Sequence, residues 1–244
     1  MTSKNTNDIK VNPVEGVYMS YLFSFIALSG TIAITLLGSL NYDFDGYEYD
    51  LRAAFISETA VNFIAGIVYS YITKLLFSGV ITLEQVTPIR YFDWVLTTPL
   101  LLLSFALYSN YSENKENGTD NNTNLEPLSY IVFLNLGMLL FGYLGETGKI
   151  GKYSGLAIGF LFYAGLFVAI YENYIKNSTE SNKSLFYIFA FVWALYGFSY
   201  LLGPFYKNIS YNCLDVVSKA GFGIYMWLGT INEITSSAKM VKFD

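Results

Sequence analysis

Tyr211-Asn-Cys-Leu-Asp215-Val-Val-Ser-Lys219-Ala-Gly-Phe-Gly223-Ile-Tyr-Met-Trp-Leu-Gly-Thr-Ile231 sets a lysine in the middle of an apolar stretch. In a helix, Asp215 and Lys219 stand at i and i+4, one turn apart on one face. At membrane depth a charged side chain costs roughly +2.5 to +3.5 kcal/mol on insertion scales. Such a group is kept where it pairs, lines a cavity or does chemistry. The stretch therefore marks a membrane helix and a candidate site at once.

The rest of the chain has the matching composition. Of 244 residues, 53% are hydrophobic and only 14% charged, against about 25% charged in a soluble domain. Apolar runs near the roughly 20 residues that span a bilayer recur seven times, at Val17–Leu40, Ala53–Ser78, Tyr91–Tyr108, Leu128–Glu146, Tyr153–Ile175, Leu185–Gly203 and Ile209–Ile231. They predict an all-α, multi-pass integral membrane protein, one seven-helix bundle over residues 1–244 with the lipid bilayer as its partner. The opening Met1–Glu15 is polar and carries no secretory signal. One cysteine, Cys213, and no histidine exclude an internal disulfide and an ordinary zinc site. The net charge of −5 is spread over loops, and no basic stripe points to nucleic acid.

Charge does not orient the bundle. With the amino terminus extracellular and the carboxyl terminus cytoplasmic, inner segments carry Arg52, Lys115, Lys176, Lys183, Lys239 and Lys242, and outer ones carry Lys4, Lys10, Lys74, Arg90, Lys149, Lys152 and Lys207. Six against seven is no positive-inside bias. The segments Asn110–Asn124 and Asn173–Lys183 are rich in Asn, Ser, Glu and Lys and read as solvated connectors.

A second charged span opens Pro88-Ile-Arg90-Tyr91-Phe92-Asp93-Trp94-Val-Leu-Thr97-Thr98-Pro99. Arg90, Asp93 and Thr97 follow one another at three and four residues, so they share a face. Pro99 would kink this helix, which neighbours in a bundle can accommodate. Taken alone, Arg90 and Asp93 also suit a structural ion pair near a helix end. Asp215 and Lys219 taken alone suit a salt bridge in a transporter. Together the two stripes supply two carboxylates and two cations to one bundle, which favours an electrostatic site.

These residues resemble a microbial (type 1) rhodopsin over essentially the whole chain. Arg-Tyr-Phe-Asp-Trp-x-x-Thr-Thr-Pro at Arg90–Pro99 resembles the family's third helix, and Leu-Asp-x-x-Ser-Lys at Leu214–Lys219 its seventh. Trp193-Ala-Leu-Tyr196-x-x-x-Tyr200 resembles the sixth-helix aromatic cage, and Phe141-Gly142-Tyr143-Leu144-Gly145-Glu146 the fourth helix of the proteorhodopsin branch. The resemblance implies a seven-helix bundle with all-trans retinal in its core, bound to Lys219 as a protonated Schiff base. Asp93 and Asp215 would be the counterions, with Asp93 the proton acceptor, since carboxylates within about 4–6 Å favour the charged nitrogen. Arg90 would balance the second negative charge, and Thr97 would hydrogen-bond Asp93. Tyr69 and Tyr196 would complete the counterion network. Trp94, Leu101, Met138, Gly142, Trp193, Tyr196, Tyr200 and Ser218 would line the retinal pocket, and Leu101 resembles the leucine of green-absorbing members.

The resemblance further implies no enzyme chemistry, but a light-driven outward proton pump in a homo-oligomer, trimer or pentamer. Asp93 argues against the chloride pumps, and Asp215 against inward pumps. A slow-cycling photosensor, a light-gated cation channel and a retinal-free transporter or receptor are the alternatives. The Asp–Thr–Ser triplet of Asp93, Thr97 and Ser104 in an Asn- and Lys-rich chain also resembles rhodopsins encoded by giant viruses of marine protists.

Departures from the family pattern carry their own expectations. Ser104 stands where a carboxylate usually returns the proton from the cytoplasm, and a hydroxyl relays a proton without storing one. Glu58 lies eleven residues from Tyr69, about 16 Å along the axis at 1.5 Å per residue, and Ser104 the same distance from Asp93 on an oppositely directed helix. Both should reach one cytoplasmic depth, so Glu58, with Asn62 at i+4, is a candidate donor, or else an interfacial glutamate. Glu146 is either a release-side group or an interfacial glutamate. Val68 replaces a histidine common in proteorhodopsins, and Gly197 a proline that kinks the sixth helix. Gly159 would open a window beside the retinal ring for a carotenoid antenna.

Overall fold

The computed structural model describes residues 13–40 and 48–240, with side chains described for residues 15–40 and 48–231. Most of Met1–Glu15, together with Lys4, Lys10 and Lys242, lies outside the described residues. The described residues form seven helical rods and no strand. They are α1 Pro13–Leu40, α2 Glu48–Phe77, α3 Thr87–Asn117, α4 Glu126–Glu146, α5 Lys152–Ile170, α6 Glu180–Tyr200 and α7 Pro204–Asp215. A π-helical turn, Tyr171–Ile175, prolongs α5, and another, Val216–Ala220, leads α7 into its continuation Gly221–Met240. Lys219 sits inside that second π turn.

Five of these rods are long and apolar enough to cross a membrane by length and composition. α6 and α7 fall outside that group; α7 is divided by its π turn and carries the polar face of Asn208, Asn212, Asp215 and Lys219. The helices overrun the apolar spans at most ends. At α3 the difference is large: it starts at Thr87, behind a 3-10 turn at Glu84–Val86, and ends at Asn117. Part of the expected connector Asn110–Asn124 is therefore helix. Gly118, at φ 64°, ends it by donating its N–H to the Asn114 carbonyl, a left-handed cap that glycine adopts without steric cost. The rest of that connector is tied down, with Asn110 and Thr123 both donating to Asp50 at 2.7 and 2.5 Å. Hydropathy follows bilayer thickness, whereas a helix ends where its last carbonyls find caps, hence the overrun. Pro99 lies within α3 without ending it.

Sequential helices pack as neighbours, and α7 returns against α1 and α6 to close the ring. The ring is inverted relative to a soluble protein. Phe23, Phe63, Ile67, Phe133 and Leu161 face outward, while Glu58, Asn62, Arg90, Asp93, Asn135, Asp215 and Lys219 are buried. In lipid, apolar side chains meet apolar solvent, and ionisable ones turn to the bundle interior. Two of the three apolar clusters among the described residues lie toward opposite ends of the bundle. One gathers Val17, Tyr21, Tyr69, Ile72 and Val86; the other gathers Phe55, Phe105, Tyr108, Phe189 and Met226. Arg90, Asp93, Asp215 and Lys219 lie between them, and Glu58 lies at the level of Ala54 and Phe55.

Candidate functional site

α3 and α7 bring their polar faces together at the middle of the bundle. Lys219 Nζ is 2.6 Å from Asp93 Oδ2 and 3.7 Å from Asp215 Oδ2. Both carboxylates are fully enclosed, so each contact acts with little solvent screening.

The two aspartates are held differently. Asp215 Oδ1 accepts from the Tyr196 hydroxyl at 2.7 Å and the Trp94 indole N–H at 3.2 Å. Its Oδ2 accepts from Tyr69 at 2.7 Å and pairs with an Arg90 nitrogen at 3.5 Å. Tyr196 also reaches Ser218 Oγ at 2.9 Å, which locks the aromatic ring onto the π turn. Asp93 has the lysine on Oδ2, and its Oδ1 has no hydrogen-bond partner among the described residues.

One expectation needs correcting here. Thr97 donates to the backbone carbonyl of Asp93 at 2.9 Å, not to its carboxylate. A threonine four residues along a helix reaches the i−4 carbonyl by the shortest route. Arg90 makes its ion pair with Asp215 and, among the described residues, none with Asp93. Its other nitrogen donates to Tyr21 at 2.7 Å, Asn212 at 2.8 Å and Asn208 at 3.3 Å. The rings of Tyr21, Tyr69 and Tyr211 surround the guanidinium at 5.4–5.6 Å, where cation–π attraction adds to the hydrogen bonds. Sequence reasoning missed Tyr21, Asn208 and Asn212. The asparagines had a signal, since 208, 212, 215 and 219 form one helical stripe. Tyr21 had none among 22 tyrosines.

Beside the charges lies a cavity with Lys219, Asp215 and Ser218 in its wall. Trp94, Leu101, Met138, Gly142, Trp193, Tyr196 and Tyr200 line it as well. The chain reading missed Tyr91, Thr98, Leu139, Phe160, Tyr163 and Tyr211, which also line it. A buried amine opening on an apolar, aromatic-walled cavity, with one carboxylate oxygen beside it unpartnered, fits retinal. Lys219 would hold it, and Trp94, Trp193, Tyr196 and Met138 would enclose it.

Gly159 also lines the cavity, but it is buried, and a Cβ there would meet the Met138 carbonyl at 3.6 Å. It is a contact glycine against α4, not a window to lipid, so a carotenoid antenna finds no support at this point.

Glu58 is not interfacial. It is wholly buried, with Oε1 accepting from Asn62 at 3.1 Å and Oε2 lacking a hydrogen-bond partner among the described residues. Ser104 donates to the Ala54 carbonyl at 3.1 Å, one turn before Glu58, so the two helices do bring both residues to one depth. Glu146, the last residue of α4, is turned inward. Its side chain is 2% exposed and pairs with Lys207 at 3.0 Å, while Tyr211 donates to it at 2.9 Å and Thr87 at 3.3 Å. Arg90, Glu84, Glu146, Lys207 and Tyr211 line a second cavity at that end of the bundle.

Comparison with known proteins agrees with this geometry. The sequence model of the bacteriorhodopsin-like protein family matches residues 19–233. A green-light absorbing proteorhodopsin of Gamma-proteobacterium EBAC31A08 is 25% identical over 197 residues, covering 74% of this chain and 76% of the relative. Sensory rhodopsin-2 of Natronomonas pharaonis is 25% identical over 210 residues, covering 77% and 81%. The crystal structure of viral rhodopsin OLPVRII superposes with a TM-score of 0.78 at 31% identity, covering 88% of this chain and 98% of that one. With its lysine, two aspartates and cavity in one seven-helix ring, the chain belongs to the bacteriorhodopsin-like family of microbial type 1 rhodopsins, integral membrane proteins that bind retinal at a lysine, and it resembles the viral rhodopsins among them.

Proposed function

We propose that the protein is a light-driven outward proton pump with retinal at Lys219. The observation that carries this reading is the inequality of the two carboxylates around one buried nitrogen. When bound, retinal supplies light absorption and a photoisomerisation that reorients the lysine nitrogen and changes its hold on a proton. The chain's own residues do the rest. Asp93 Oδ2, at 2.6 Å, is the nearest acceptor for the proton on Nζ, and this carboxylate has an oxygen free of protein partners. Asp215 has its oxygens filled by Tyr69, Trp94, Tyr196 and Arg90, and it serves as the fixed anion.

Glu58 returns a proton to Nζ from the other end of the bundle. Its burial with Asn62 supports this role, and Ser104 on the facing helix offers a hydroxyl relay. The exit runs past Arg90 into the cavity beside Glu146 and Lys207. That end, where α1 begins, is extracellular in this reading, and the carboxyl terminus is cytoplasmic. Leu101 in the cavity wall supports green absorption.

A slow-cycling photosensor is the second reading, favoured by Ser104 in place of a carboxylate. The deciding experiment is light on cells that express the protein with all-trans retinal. A pump acidifies the medium, and a protonophore abolishes the signal. A coloured protein that never acidifies the medium is a sensor, and one that passes current down either gradient is a channel.

A further inference from the structure

Phe160 on α5 and Gly197 on α6 both line the cavity beside Lys219. A Cβ built on Gly197 would lie 2.4 Å from Phe160 Cζ and 2.6 Å from its Cε2, closer than real side chains approach. The phenyl ring therefore occupies the space that any other residue at 197 would fill. Neighbours restrict its retreat. Tyr163 packs at 5.6 Å and is itself fixed by a 2.7 Å hydrogen bond to the Ala190 carbonyl. Phe198 packs at 6.2 Å. The free space adjoining the ring is the cavity.

We propose that Gly197 is a specificity-determining residue for the chromophore: it is the recess that keeps the Phe160 ring out of the cavity, so the pair sets the room left for the bulky end of retinal. This rests on retinal binding at Lys219, and it gives Gly197 a steric task at the place where the family pattern has a proline. A methyl group at 197 drives the ring inward, and shortening Phe160 relieves it.

The test follows pigment formation when purified apoprotein is mixed with all-trans retinal, or with an acyclic analogue that lacks the ring, alongside apoprotein melting. Gly197→Ala should form pigment with retinal roughly tenfold more slowly than the parent, in line with the cost of overpacking a filled site. It should take up the acyclic analogue at the parental rate. Phe160→Ala in the same chain should restore uptake of retinal, a coupling that independent sites would not give. Equal uptake by the parent and Gly197→Ala overturns the proposal, as does a slow Gly197→Ala that Phe160→Ala does not rescue. A parent that forms no pigment at all overturns the retinal reading instead. Should Gly197→Ala melt before uptake is read, the comparison of Phe160→Ala with the parent decides: unchanged handling of both aldehydes overturns the proposal, and relaxed discrimination between them supports it.

Discussion

Nζ of Lys219 stands 2.6 Å from Oδ2 of Asp93, a contact that joins α7 to α3 across the centre of the bundle. The second aspartate is more than an ångström further away and is already held by four other side chains. One anion is therefore positioned to exchange a proton with the lysine nitrogen, and the other to stay where it is.

Asp93→Asn should abolish light-driven acidification and move the absorption maximum to longer wavelength. An anion beside the nitrogen favours positive charge there in the ground state more than in the excited state, so its loss narrows the gap. Acidifying the parent pigment should give the same red shift, because protonated Asp93 is neutral. The spectrum of Asp93→Asn should be flat over that pH range. Visible absorption at a series of pH values, with light-induced pH change in cells, checks both.

Thr97→Val should leave the absorption maximum and the acid titration of Asp93 unchanged. The hydroxyl serves the Asp93 backbone carbonyl, which a helix can leave to its normal amide donor. A spectrum that moves as far as in Asp93→Asn would show the hydroxyl on the carboxylate instead.

Asp215→Asn should destabilise the fold by roughly 3–5 kcal/mol, the cost of breaking a buried ion pair from one side. Arg90 and Lys219 both lose a partner, and the hydroxyls of Tyr69 and Tyr196 lose a charged acceptor. Tyr69→Phe should cost less, roughly 1.5–3 kcal/mol for one hydrogen bond to a charged group. Thermal denaturation in detergent or lipid ranks the two.

Glu58→Gln should slow the return of the proton to Lys219 by at least tenfold and make that step depend on external pH, since water must then deliver it. Ser104→Asp in the same chain should recover the speed, because a storing group is placed back on the facing helix at the same depth. Flash-induced absorbance transients measure the step. An unchanged decay in Glu58→Gln removes this residue from the path.

Local geometry made much of the site readable. Asp215 with Lys219, and Arg90 with Asp93 and Thr97, share faces because a helix repeats every 3.6 residues. The lining of one cavity by Trp94, Met138, Gly142, Trp193 and Tyr200 could be anticipated from motif positions. Polar Asn110–Asn117 read as a connector but is helix, because a polar segment beyond the bilayer can be either, and the cap at Gly118 decides.

By itself, then, the sequence determined seven apolar spans, a lysine buried in the last of them, and which charged residues share a helix face. Covalent order and helical periodicity fix such relations within one rod. Tertiary structure alone decided that Asp93 lies nearer to Lys219 than Asp215 does, that Thr97 serves a backbone carbonyl, and that Arg90 nests among Tyr21, Asn208 and Asn212. It alone paired Glu146 with Lys207, 61 positions along the chain, and seated Phe160 on Gly197. Those relations depend on how each helix is rotated and shifted against its neighbours. Packing of side chains across the whole ring sets that phase, and no spacing within a single helix encodes it.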